Sequence, residues 1–193
     1  MGIDMSVRSP AWTIWDLHQK VFHVFALQKK ESNPVGMYCG SRNGNLMKVT
    51  LFENHPDLDE KLKEVGDRTR VYRYLVGLML TSMKFVIDDE RPVNVMVENY
   101  AYGATSSPSD HLLKELGGFL RCELSYHFPR IVWYERFPTT VKLFWTGNGR
   151  ATKKEMIQAY EAKGFPKLPS HTNPWEDMVD SIAIVHLLKS LLE

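Results

Sequence analysis

Apolar and polar residues along the first fifty positions follow the pattern of β-strands. The stretches AWTIWDL and VFHVFAL are rich in aromatic and β-branched residues, which favours two strands of a meander. LMKVTLF follows the turn-like SRNGN and is a candidate for a third strand. A short apolar run at residues 1–5 predicts another strand, which ends at Asp4.

Helical and strand patterns alternate in the rest of the chain. Apolar residues spaced three and four apart predict a long helix over residues 57–83. The Val-rich run PVNVMVEN is typical of a strand buried on both faces, and RIVWYE predicts one more strand. Further helices are expected at residues 109–124, PTTVKLFW, ATKKEMIQAYEAKG and residues 173–192. This order predicts an α/β fold, with helices packed on a mixed sheet.

The last predicted helix is apolar, yet its first turns carry Glu176, Asp177 and Asp180. Asn173 and Pro174 suit the cap and the first helical position, and Glu176 suits a capping-box partner of Asn173. With about 100° per residue, Asp177 and Asp180 lie on the side that packs inward. That side also carries Ile184, Leu188 and Leu191, whereas the opposite polar stripe consists of His186, Lys189, Ser190 and Glu193.

Two inward acids need more than the helix dipole to explain them. Complementing the dipole stabilises a helix by roughly 0.3–1 kcal/mol per charge, and acids that face water would do it equally well. Two carboxylates about 4 Å apart repel by about 4 kcal/mol at an effective dielectric constant of about 20. We therefore expect a cation between Asp177 and Asp180.

Composition narrows the class of protein. The 193 residues are 44% hydrophobic and 24% charged, as in globular proteins, and we expect a single domain over residues 1–193. No apolar run has the length of a membrane span and no export leader is recognisable, so we expect a cytoplasmic protein without a membrane partner. Cys39 and Cys122 have the spacing of neither a zinc site nor a disulfide scaffold, which favours reduced thiols.

The charge distribution is more informative than the total. A net charge of +1 does not by itself suggest a nucleic-acid partner. Residues 142–167, however, hold six basic residues and two acidic ones. The basic residues are Lys142, Arg150, Lys153, Lys154, Lys163 and Lys167. On its own, such a patch is usually a solvated face.

Two further acids stand where predicted strands end, namely Asp4 and Glu98. A lone acid in such a place is most often a turn or capping residue. Ligands gather beyond the carboxyl ends of strands, however, so Asp4 and Glu98 could converge with Asp177 and Asp180. Carboxylate oxygens are the ligands of Mg²⁺, and two such ions about 3.5–4 Å apart promote phosphodiester hydrolysis.

Several motifs, in their order and spacing, resemble those of the RuvC-type Holliday junction resolvases of the RNase H superfamily. GIDMSVRSPAWTIWD is similar to their opening strand and turn, and VENYAYG to their second acidic motif. LLKELGGFLR resembles a helix of the phage-type branch, PTTVKLFWTGNGRATKKEM the basic motif, and EDMVDSIAIVHLL the closing acidic helix. The resemblance covers residues 1–16 and 92–188. It implies an RNase H-like fold with a mixed five-stranded sheet flanked by helices.

The resemblance also implies roles for individual residues. Asp4, Glu98, Asp177 and Asp180 would be the catalytic tetrad that binds two Mg²⁺ ions, for which Mn²⁺ would substitute. Lys153 would stabilise charge that develops on the scissile phosphate.

DNA contacts are implied for a second group of residues. Lys142 would hold the DNA backbone, with Arg150 and Lys154 beside it in the basic motif. Tyr100 and Tyr102 flank the place where bacterial relatives carry an aromatic wedge, although Ala101 is the residue in register. Plain surface exposure remains the alternative for the lysines, and core packing for the tyrosines.

The implied activity is that of an Mg²⁺-dependent endonuclease acting on four-way and other branched DNA. A homodimer would nick symmetrically and leave 5′-phosphate and 3′-hydroxyl ends. The phage-type motifs suggest a viral source and therefore the host cytoplasm. The alternatives are another RNase H-superfamily nuclease that acts on flaps or RNA:DNA hybrids, a non-catalytic junction-binding protein, and an α/β domain without a nucleic-acid role.

Overall fold

A computed structural model describes residues 1–5, 9–27, 37–53, 65–87, 91–98, 108–169 and 174–193. The strands in these residues are β1 (Gly2–Asp4), β2 (Ala11–Asp16), β3 (Val21–Leu27), β4 (Met37–Arg42), β5 (Asn45–Phe52), β6 (Val93–Glu98) and β7 (Ile131–Arg136). The helices are α1 (Val65–Val86), α2 (Pro108–His127), α3 (Pro138–Thr146), α4 (Lys153–Ala162) and α5 (Trp175–Leu192).

The strands form one mixed sheet in the order β4-β5-β3-β2-β1-β6-β7. β1 pairs antiparallel with β2 and parallel with β6, which in turn pairs parallel with β7. The prediction of a mixed α/β sheet flanked by helices is confirmed, but the described sheet has seven strands rather than five. β5 runs parallel to β3, not antiparallel as in a meander. The reason is that β4, whose sequence MYCGSR has little strand character, lies between them in the chain.

Each face of the sheet carries its own hydrophobic core. One core packs α3, α4 and α5 against the sheet, and the other packs α1 and α2 against the opposite face. Helix α5 lies directly on β1 because Gly2 has no side chain. A Cβ atom at Gly2 would lie 2.6 Å from the Val185 nitrogen and 2.7 Å from the Ser181 oxygen.

The predicted starts of two helices, at residues 57 and 173, lie outside the described residues. Residues 54–64 are outside the described residues, and α1 is described from Val65. Helix α5 begins at Trp175, with Pro174 at the cap position and no capping side chain, while Asn173 is outside the described residues. With Pro174 at the cap, the capping-box position is that of Asp177, so Glu176 lies one residue before it. Among the described helices, none is both long and apolar enough to cross a lipid bilayer.

The polar stripe predicted on α5 is not a solvent face at His186. Its ring stacks on Phe22, with centroids 5.1 Å apart, and meets Trp145 edge-on at 5.3 Å. Burial, together with the charges of Lys189 and Lys163, lowers the pKa of His186 from 6.5 to about 4. Leu191, which was expected on the inward side, is half exposed.

His186 should make the fold sensitive to acid. Between about pH 6.5 and 4 the unfolded chain binds a proton at His186 that the folded chain does not, so stability falls as the pH falls. His186→Phe keeps an aromatic ring and removes this titration. As the pH falls from about 6.5 to 4, the unfolding free energy of the variant minus that of the parent chain should therefore increase by up to roughly 3 kcal/mol. Urea unfolding of both proteins across this range measures the difference, and a constant difference would contradict the assignment.

Candidate active site

The sheet places Asp4 and Glu98 side by side. Strands β1 and β6 are parallel, with Gly2 opposite Met96 and Ile3 opposite Val97. The next residues along these strands are Asp4 and Glu98. Because side chains alternate along a strand, both acids point to the same face as Gly2 and Met96, which is the face covered by α5.

Helix α5 brings two more acids to this end of the sheet. The side chains of Asp177 and Asp180 are only 11% and 15% exposed, so both point inward as the helical spacing predicts. One carboxylate oxygen from each of Asp4, Asp177 and Asp180 lies within 4.8 Å of the other two. Glu98 is not part of this triplet, but its charge acts on Asp4, and that of Asp180 on Glu98. We call these four residues the acid pocket.

Two small contacts, neither visible in the sequence motifs, fix α5 against the strands. Gly2 permits the backbone contact with Ser181 and Val185. The hydroxyl groups of Thr13 and Ser181 share a buried hydrogen bond of 2.7 Å across a separation of 168 residues. Ser181 follows Asp180 directly, and Gly2 lies two residues before Asp4. A small residue on the inward face of the strand that carries an acid is the signal that could have identified Gly2.

Burial and mutual repulsion make the acid pocket costly when all its carboxyls are ionised. Burial, and then the charges of Asp180, Glu98 and Asp177, hold the pKa of Asp4 well above its usual range. Burial and Asp180 raise the pKa of Glu98 to about 7, although Lys153 and Lys142 act in the opposite direction. Burial also raises the pKa of Asp180, against the lowering effect of Lys153.

Lys153 is the cation that the inward aspartates were expected to need. Its Nζ donates to Asp180 Oδ2 and lies 3.4 Å from Asp177 Oδ1. Burial acts to lower the pKa of Lys153, but the charge and hydrogen bond of Asp180 outweigh it, so the pKa is raised. Lys153 is the first residue of α4, whose start is set by a capping box between Thr152 and Glu155.

The acid pocket has the donor set and charge for a divalent cation. The pocket contains four carboxyl groups. The positive charges that act on Glu98 and Asp180 come from two lysines, Lys153 and Lys142, so the carboxyl groups outnumber these lysines. Within the described part of the chain, Asp177 Oδ2 is a buried oxygen without a hydrogen-bond partner. An unpartnered buried carboxylate oxygen is unfavourable unless a cation or another donor meets it. Hard oxygen ligands and excess negative charge together fit an ion such as Mg²⁺.

The remaining predicted residues lie around the acid pocket or beyond the described residues. Lys142 is partly buried on α3 and acts electrostatically on Glu98 and Asp180. Arg150, in the loop before α4, and Lys154, on α4, are exposed. Tyr100 and Tyr102 are outside the described residues, and so is the predicted wedge position.

Comparison with known proteins identifies the fold. No protein-family model matches the chain, and no curated protein matches it. Solved structures that match include RuvC of Thermus thermophilus, which is 18% identical with a TM-score of 0.50, over 99% of this chain and 94% of RuvC. Another is T. thermophilus RuvC in complex with a Holliday junction substrate, which is 16% identical with a TM-score of 0.47, over 99% and 93%. At this identity the first match shows an RNase H-like fold, as the sequence motifs imply.

Proposed function

We propose that this chain is a divalent-metal-dependent endonuclease that cuts branched DNA, chiefly four-way junctions. The observation that carries the proposal is the acid pocket. Acids from β1, β6 and α5 meet at one end of the sheet with excess negative charge. The RNase H-like fold and the order of the RuvC-type motifs support the same activity.

Each acid would have a defined part in holding the metal. Asp4, Asp177 and Asp180 would supply the shared oxygen ligands, because their oxygens are within 4.8 Å of one another. Glu98 would complete the set from the neighbouring strand. Two Mg²⁺ ions bound there, or Mn²⁺ in their place, would supply an activated water and stabilise the leaving 3′ oxygen.

The basic residues would position the DNA. Lys153 contacts Asp177 and Asp180 in the acid pocket, and it would stabilise the charge that develops on a phosphate bound there. Lys142 would hold the adjoining backbone, and the exposed Arg150 and Lys154 would extend this basic surface. Tyr100 and Tyr102 remain candidates for contact with the junction.

The proposal also includes the oligomeric state, the product ends and the cellular location. A four-way junction has two equivalent strands, so a two-fold symmetric homodimer would place one acid pocket at each. Cutting would leave 5′-phosphate and 3′-hydroxyl ends. Residues 1–193 would form a single nuclease domain of the phage-like branch, acting in the cytoplasm of a host cell.

A panel of labelled substrates tests the activity. The purified protein is incubated with a four-way junction, a flap, an RNA:DNA hybrid and a linear duplex of the same sequence, with Mg²⁺ and with EDTA. We expect Mg²⁺-dependent cutting that is at least about tenfold faster on the junction, which corresponds to roughly 1.4 kcal/mol of discrimination. Symmetric nicks in opposing strands that DNA ligase can reseal would support the dimer and the predicted ends.

The other outcomes separate the alternatives. Preference for the hybrid or the flap would identify a different nuclease with the same acid pocket. Tight junction binding without cutting, and no heat of Mg²⁺ or Mn²⁺ binding, would identify a junction-binding protein. No retention of DNA even at low salt would contradict any role with nucleic acid.

A further inference from the structure

We propose that Lys153 is an exchangeable counterion of the acid pocket, which a divalent metal ion displaces and thereby frees to meet the phosphate of the DNA. The inference rests on the proposed function, because it takes the acid pocket as the metal site. It adds a positioning role for Lys153, in which metal binding and phosphate binding are coupled through one side chain.

The contacts of Lys153 are with the oxygens a metal ion would need. Nζ donates to Asp180 Oδ2 and lies 3.4 Å from Asp177 Oδ1. Mg²⁺ binds carboxylate oxygens at about 2.0–2.1 Å. An ammonium group on the same two carboxylates would then lie only a few ångströms from a doubly charged ion. Both cations are attracted by the same negative charge, so each should weaken the binding of the other.

The surroundings of Lys153 allow the side chain to leave without moving the backbone. Its side chain is 45% exposed, whereas those of Asp177 and Asp180 are 11% and 15% exposed. The backbone at this position is held by the capping box of Thr152 and Glu155 at the start of α4. A lysine stem has four flexible carbons, so a rotation of the side chain can carry the ammonium group from the aspartates toward solvent.

By displacing Lys153 from the aspartates, the metal ion would also strengthen the binding of DNA. With Lys153 on the aspartates, its charge is satisfied within the protein and contributes little to DNA binding. Once released, the ammonium group is a free cation at the rim of the acid pocket, where the scissile phosphate would lie. Metal loading would therefore prepare the phosphate contact, and by linkage DNA would favour metal loading.

Metal affinity gives the first test. Lys153→Met removes the competing cation, and Lys167→Met removes the same charge from an exposed side chain beyond the end of α4. Calorimetric titration with Mn²⁺ at about pH 8 should give a Kd about tenfold lower for Lys153→Met than for the parent chain, as expected if the lysine occupies the site most of the time. Lys167→Met should stay within about twofold of the parent. Equal or weaker Mn²⁺ binding by Lys153→Met would overturn the proposal.

The second test observes the unsubstituted Lys153 during metal binding, and the variant serves only to assign its resonance. Reductive methylation with ¹³C-formaldehyde labels lysine amines and keeps their charge, and the resonance missing from Lys153→Met identifies Lys153. Titration with Mg²⁺ should move this resonance to the position of exposed lysines, in step with metal binding. A resonance that stays in place at saturating Mg²⁺ would show that lysine and metal share the pocket, and the proposal would be wrong.

These readouts separate this inference from the proposed function. If Mg²⁺ displaces Lys153 but no branched DNA is cut, the exchange stands and the nuclease proposal fails. If junctions are cut while the Lys153 resonance stays in place, only the exchange fails.

Discussion

We expect Asp4→Asn to lower the rate of the proposed junction cutting by about 10³-fold, because it replaces the carboxylate on which the charges of all the other acids of the pocket act. Its oxygen lies within 4.8 Å of oxygens of both Asp177 and Asp180, and Glu98 acts on it from the neighbouring strand. An amide is a weaker metal ligand than a carboxylate and carries no charge. Loss of one well-placed electrostatic group in an active site typically costs 10²–10³-fold in rate, roughly 3–4 kcal/mol.

The same substitution should not weaken the fold. Burial and three neighbouring acids disfavour ionised Asp4, so its charge opposes folding at neutral pH. Asn has nearly the same shape and removes one of the like charges. The unfolding free energy of Asp4→Asn should therefore equal or exceed that of the parent chain, as is common where an active site is strained for function.

Single-turnover cutting of a labelled junction in Mg²⁺ measures the loss, and urea unfolding measures the stability. Asp16→Asn is the matched control, because Asp16 ends strand β2 as Asp4 ends β1. Asp16, however, accepts hydrogen bonds from the backbone N–H groups of His18 and Gln19 in a turn, a role that Asn also fills. Asp16→Asn should cut at the parent rate. Parent-like cutting by folded Asp4→Asn would refute the assignment of the acid pocket.

Gly2→Ala should produce the largest loss of stability and a loss of metal binding with it. The added Cβ atom would lie 2.6 Å from the Val185 nitrogen, 2.7 Å from the Ser181 oxygen and 3.1 Å from the Ile184 carbonyl carbon. All three are backbone atoms of α5, so no side-chain rotation relieves the clash. The helix must shift away from β1, and inserting a methyl group into such a contact costs about 3 kcal/mol.

The shift of α5 has a consequence for the acid pocket. Asp4 is on β1, while Asp177 and Asp180 are on α5, so separating the two elements separates their oxygens. Mn²⁺ binding, measured by calorimetry at a temperature where the variant is folded, should weaken by about tenfold or more, in line with the effect of disturbing the groups that orient metal ligands.

A second glycine provides the control. At Gly118, in the interior of α2, a Cβ atom would meet no atom within 4 Å. Gly118→Ala should stabilise the chain by about 0.5–1 kcal/mol, since it removes backbone entropy from the unfolded state. Mn²⁺ binding should not change. If Gly2→Ala were as stable as the parent chain, direct packing of α5 on β1 would be disproved.

The approximate positions of the acids follow from local patterns. Apolar alternation places Asp4 and Glu98 at strand ends, and the helical period turns Asp177 and Asp180 inward. These patterns report which side of a strand or helix avoids water, and that property depends on neighbouring residues alone. The same reasoning requires a cation beside the two aspartates. The sequence by itself therefore determined the α/β class, the positions of two acids at strand ends and the inward direction of the two aspartates on α5. It also required a cation beside this inward pair.

Which residues meet across the chain was decided only by the tertiary structure. Periodicity did not show that Lys153 supplies the cation, that Gly2 lets α5 touch β1, or that Ser181 bonds Thr13. It placed His186 on a polar stripe, although aromatic rings from other elements surround it. It also missed β4 and therefore the direction of β5. Each of these depends on how separate elements pack, and packing is set by the shapes and contacts of residues far apart in the chain rather than by the spacing of residues within one element.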